Sequence, residues 1–143
     1  MQLTYHLILS TAALESLDNW EQWCQSEGIP IEIKGAEQIP SASQSVLLSL
    51  FYHGVQANVQ IYREWISDAK DACDDLIQYL TEDHALSLNF YIEGEQHALY
   101  LVTMALAIAV FKSNGLCYIE GDGHFIKPET ALAEAKSIQA SFQ

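Results

Sequence analysis

Residues 98–111, ALYLVTMALAIAVF, place apolar side chains on every side of a helix, with Thr103 the one exception. A helix that is apolar all round has no face to give to water and must be covered on both sides. Fourteen residues make about 21 Å of helix, short of the roughly 30 Å hydrocarbon core of a bilayer. The flanks carry Glu93, Glu95 and Lys112 instead of the aromatic or basic anchors of a membrane span. The segment therefore predicts a long central helix over 95–113, closed by Asn114 and Gly115, which tolerate positive φ. One side should rest on a sheet. The other should meet the terminal helices or a second subunit, which leaves a homodimer open.

The rest of the chain supplies the sheet. QLTYHLIL, residues 2–9, leans towards a strand. Residues 11–25 set Leu14, Leu17, Trp20 and Trp23/Cys24 at helical spacing and stop at Gly28. PIEIK, residues 30–34, alternates like a short half-buried strand, and 35–44 is rich in turn formers and reads as a loop. Residues 45–53 and 57–66 flank Gly54 as an antiparallel hairpin, with Val59, Ile61 and Arg63 alternating against Gln60, Tyr62 and Glu64. Another strand over 85–92 ends at Gly94, and 116–120 and 124–126 flank a Gly-Asp-Gly turn. Pro128 opens a last helix with Ala131, Leu132, Ala135, Ile138 and Phe142 on its apolar side. Strands and helices mix without strict alternation. The pattern predicts an α+β fold, a single mainly antiparallel sheet packed by about four helices, within one domain spanning 1–143.

Charge narrows the partners. Nineteen acids against six Lys/Arg give −13, a field that repels nucleic-acid phosphates and anionic membranes and attracts basic proteins. No nucleic-acid or membrane partner is expected. Cys24, Cys73 and Cys117 are far apart without a CxxC, as small core residues of a reducing compartment would be. The first twenty residues lack a basic n-region, so a cytoplasmic location is expected.

The negative charge is unevenly placed. From 64 to 83 there are seven acids and one base, Lys70, close to half of the whole excess. Ser67 is a candidate N-cap for a helix over 68–82. At 100° per residue Ala69, Ala72, Cys73, Leu76, Ile77 and Leu80 share a sector roughly 140° wide, while Asp68, Asp71, Asp75 and Glu82 gather opposite, joined by Glu64 if the turn extends back to it and with Asp74 at their edge. Asp68 and Asp71 favour the helix dipole by about 0.3–1 kcal/mol each, but Glu82 and Asp83 oppose it. Like charges at i,i+3 and i,i+4 add about 0.2–0.5 kcal/mol of repulsion per pair. A helix shaped for stability alone would carry more lysines. A merely solvated face is the plain alternative; concentration of the charge favours a face turned to a partner. Tyr62, Trp65 and Tyr79 are aromatic candidates to anchor such an interface, or else core residues.

Catalytic signatures do not appear. The sequence contains no HExxH, GxSxG, GxGxxG or GxxxxGK[ST], and neither a cofactor nor a metal is expected. His97, Cys117 and His124 could meet across the last helix and hairpin, but without paired ligand spacing they read as ordinary side chains. Glu93 with Glu95, and Glu120 with Asp122, flank glycines; such acids commonly stand at turns for conformational reasons, with acid/base or cation chemistry as the sharper alternative.

The last fifty residues, HALYLVTMALAIAVFKSNG followed by LCYIEGDGHFI and KPETALAEA, resemble small α+β immunity proteins of bacterial contact-dependent and secretion-delivered toxin systems. The resemblance implies a cytoplasmic, non-enzymatic antidote that binds a cognate toxin and blocks its active site. Many toxin domains that attack nucleic acid are basic, which suits an anionic surface made of Glu64, Asp68, Asp71, Asp74, Asp75, Tyr79, Glu82 and Asp83. Two other readings stand beside it: an acidic nucleic-acid mimic that regulates a basic protein, and a small-ligand-binding α+β domain using the glutamate turns.

Overall fold

The computed structural model describes residues 2–39, 45–65, 86–93, 95–120 and 123–142, without the side chains of residues 2, 64, 65, 86, 87 and 93. The fold is α+β: a seven-stranded antiparallel sheet with four helices among the described residues. The strands are β1 (Gln2–Leu9), β2 (Glu32–Lys34), β3 (Val46–Tyr52), β4 (Val55–Trp65), β5 (Leu86–Glu93), β6 (Leu116–Glu120) and β7 (His124–Ile126). Their order across the sheet is β2-β3-β4-β5-β1-β6-β7. The helices are α1 (Thr11–Glu15), α2 (Trp20–Ser26), α3 (Gln96–Ser113) and α4 (Pro128–Ala140). Because β1 pairs with both β5 and β6 in antiparallel fashion, β5 and β6 run parallel and α3 crosses over β1 to join them.

The expected apolar helix is α3, and it is core on both sides. It lies on the sheet face formed by Tyr5, Leu7, Leu48, Val59, Ile61, Phe90 and Ile92, and α2 and α4 pack against it. Leu101, Met104, Leu106, Ile108 and Val110 are fully enclosed, each worth about 1.5–3 kcal/mol of transfer from water. By length and composition α3 is one described helix able to cross a membrane, yet 61% of it is buried inside the protein. α4 turns Ala131 and Ala135 inwards, small enough for close approach. The cover beyond the sheet is therefore intramolecular, as one of the two expectations had it.

Polar groups fix where this helix sits. The Thr103 hydroxyl donates to the Leu99 carbonyl at 2.8 Å, so it serves as acceptor for the Tyr5 hydroxyl of β1 at 2.7 Å. From the other side the Trp20 indole N–H of α2 donates to the Ala105 carbonyl at 2.8 Å, with its ring edge-on to Phe90 of β5. Asn114 takes the left-handed conformation (φ 58) that ends α3. Gly115 does something different. A Cβ there would stand 2.7 Å from the Ile8 carbonyl oxygen, so only glycine lets β6 begin against β1.

Several boundaries differ from the sequence expectation. The helix over 11–25 is broken by a 3₁₀ turn, Leu17–Asn19. Leu14, Leu17 and Trp20 are three apart, and three residues per turn keeps them on one buried side. The strand over 30–34 shortens to β2, because Pro30 has no N–H and the Ile31 N–H turns back to the Ile29 carbonyl. The loop over 35–44 contains a 3₁₀ turn, Ala36–Gln38. The β3–β4 connection is tighter than expected: Tyr52 pairs with Val55, and His53 (φ 50) and Gly54 (φ 77) form the whole turn. The predicted helix over 68–82 and its cap Ser67 lie outside the described residues.

If Tyr5 and Thr103 hold α3 in place, urea denaturation should show Tyr5→Phe costing about 1 kcal/mol and Thr103→Val about 1–3 kcal/mol. The double variant should lose less than their sum by roughly 0.5–1.5 kcal/mol. Strictly additive losses would show that the two hydroxyls act separately.

Candidate partner-binding surface

Of the residues expected at the interface, Asp68, Asp71, Asp74, Asp75, Tyr79, Glu82 and Asp83 lie outside the described residues. Position 64 is on β4 opposite Ser87, two residues from Tyr62. Tyr62 is exposed. The surface that can be built residue by residue is thus the sheet face opposite α3.

Pleating decides its membership. One cross-strand row runs Leu47, Gln60, Tyr91, Thr4, Glu120 across β3, β4, β5, β1 and β6. At about 4.8 Å per strand it spans roughly 19 Å. The neighbouring row runs Tyr62, Asn89, His6, Tyr118, Phe125. Leu47 is 67% exposed, Tyr62 39% and Tyr91 36%, so three of the five large exposed apolar side chains among the described residues fall on this one face. The Tyr62 and Tyr91 rings meet edge to face at 5.1 Å. Tyr118 stacks between His6 (5.9 Å) and Phe125 (4.9 Å).

A buried polar pair sits between the aromatics. His6 is 3% exposed and its Nε2 lies 2.9 Å from Oε2 of Glu120, whose side chain is half open to solvent. The carboxylate only accepts, so Nε2 carries the proton and donates. The contact steadies Glu120 at the surface. Asn89 is also buried, and its Oδ1 meets no donor among the described residues. A buried acceptor without a donor costs about 1–3 kcal/mol, which makes Asn89 a conspicuous feature of this face.

The other sequence candidates separate. Cys117 is buried under the sheet, and His124 is exposed with Nε2 3.1 Å from Glu134. His97 is exposed and packs towards Tyr100 and Phe142. No group of three His, Cys, Asp or Glu that could hold a metal occurs among the described residues. Glu95 is the N-cap position of α3, Glu120 is engaged by His6, and Asp122 is outside the described residues. Glu21 plays a structural part, since its Oε1 accepts the Ile33 N–H at 2.7 Å and so ties α2 to edge strand β2.

Sequence reasoning named Tyr62 but missed Leu47, Tyr91 and Asn89. The alternation Asn89-Phe90-Tyr91-Ile92 held the signal, since a core-facing Phe90 puts its neighbours on the opposite face. No family model, curated protein or solved structure matches this chain.

Burial pushes the Cys24 thiol up to about 12, with nearby Glu21 adding to the effect. Cys117 is raised further, again chiefly by burial and then by Glu134. A thiol whose folded pKa is raised stabilises the fold below its unfolded value of 9.0 and loses that contribution as pH climbs towards about 12. At pH 10.5 Cys24 should therefore cost about 2 kcal/mol relative to pH 8. Urea denaturation should show Cys24→Ala losing less stability than the wild type over that interval. An equal loss would mean that the thiol ionises in place.

Proposed function

We propose that this chain is a non-enzymatic immunity protein that neutralises a basic protein toxin by binding it through an acidic, aromatic surface. The carrying observation is how the scarce cations are spent. Lys112 Nζ pairs with Glu27 at 3.0 Å, Lys136 donates to the Glu27 carbonyl, and Lys34 lies over the Phe51 ring at 5.2 Å. These contacts tie positive charge to the fold and leave exposed Glu15, Asp18, Glu32, Glu37, Glu95, Glu120 and Glu129 with little to offset them. In a chain of net charge −13, that balance suits a cationic protein and opposes self-association through the same surfaces.

The seven acids over 64–83 add a second concentration of the same sign. Charge of this kind acts first on encounter, raising association towards about 10⁸ M⁻¹s⁻¹ at low salt, while affinity depends on aromatic anchors. Blocking a toxin requires no chemistry from the antidote. A cytoplasmic location follows from the same proposal, as the compartment in which an antidote would meet its toxin.

Co-expression with the product of the adjacent reading frame, where that encodes a secreted multidomain toxin, should restore growth and yield a stable complex. Asp71→Lys with Asp75→Lys should slow association about tenfold and flatten its dependence on salt. An on-rate equal to wild type in stopped-flow mixing would remove those acids from the interface.

A further inference from the structure

We propose that the outer face of the sheet, centred on Tyr62 and Tyr91, is a docking surface for an arginine-bearing basic segment of a protein partner. This deepens the preceding reading by placing a contact site away from the acids over 64–83, and it rests on that reading's basic partner.

Exposed Leu47, Tyr62 and Tyr91 share one face, and two of them form an aromatic pair. Aromatic rings at a surface attract guanidinium groups through their faces, and Leu47 offers apolar contact for an arginine stem. Glu120 ends the row that contains Leu47 and Tyr91, its carboxylate half open and steadied by His6. Among the described strands the one lysine in the alternation of this row is Lys34, at the sheet edge over Phe51. The face thus combines flat aromatic area with negative charge.

Asn89 is an independent indication. It stands beside Tyr62 in register, buried to 5% exposure, and its Oδ1 has no donor among the described residues. A guanidinium over Tyr62 would stand about one strand spacing from Asn89, so its N–H donors reach the buried Oδ1 only once the side chains covering that atom move aside. A second copy of the chain is the poorer occupant, because two faces edged by glutamate repel each other.

The test uses the full chain and nona-arginine as probe, followed by ¹⁵N–¹H NMR and calorimetric titration. Binding should shift resonances of Leu47, Gln60, Tyr62, Tyr91 and the Asn89 side-chain amide. Tyr62→Ala with Tyr91→Ala should weaken binding about tenfold. Tyr62→Phe with Tyr91→Phe keeps the rings and should retain wild-type affinity within about twofold. Glu37→Gln with Glu129→Gln, exposed positions away from this face, should likewise change it by at most about twofold. Unchanged affinity in the alanine variant, or shifts elsewhere on the molecule, would overturn the proposal. A wild-type dimer in sedimentation that the alanine variant dissociates would also overturn it, by giving the face to a second copy. Binding at this face without protection against any neighbouring toxin would uphold the surface and remove only the toxin assignment.

Discussion

Everything else in this fold depends on the enclosure of α3. A helix apolar on all sides has a strong reason to be buried but no preferred rotation once it is. Burial supplies stability here, and two polar contacts supply direction. Tyr5 reaches from the sheet to Thr103, and Trp20 reaches from α2 to the Ala105 carbonyl. The two contacts lie within one helical turn, on residues 103 and 105, and grip the helix from separate elements. Each hydrogen bond is worth only about 1 kcal/mol net. Their value is in choosing one arrangement among several that would bury the same area.

Committing one sheet face to α3 sets what the opposite face can do. Along β4 and β5 the same pleat that sends Val59, Ile61, Phe90 and Ile92 to the core sends Gln60, Tyr62 and Tyr91 to the other side. Lysines are drawn into structural contacts at Glu27 and Phe51, and carboxylates are left facing water. The negative field is thus a consequence of how few cations the chain has and where it uses them. In the proposed reading the charge serves encounter with a basic protein and the exposed aromatics serve short-range packing.

Long, uniform signals were legible in the sequence. The apolar run that became α3, the Asn-Gly stop, the β6–β7 hairpin and Pro128 at the head of α4 all act through local chemistry. What escaped depended on tertiary context. The 3₁₀ turn at Leu17–Asn19 follows from packing Leu14, Leu17 and Trp20 on one side, and helical periodicity alone does not distinguish that from a continuous helix. Gly115 looked like part of a helix stop, while its role is a close approach to Ile8 that only the fold creates. The surface was half visible. Tyr62 followed from alternation, but uniting it with Leu47, Tyr91 and Glu120 needed the strand order, which places β1 between β5 and β6.

Native-state hydrogen exchange tests the two-sided burial of α3 most directly. Amides of residues 102–110 should exchange only through global unfolding, with protection equal to the full unfolding free energy measured by denaturant. Faster exchange in α3 than in β1 and β5, through local opening at a fraction of that free energy, would contradict a core built around this helix.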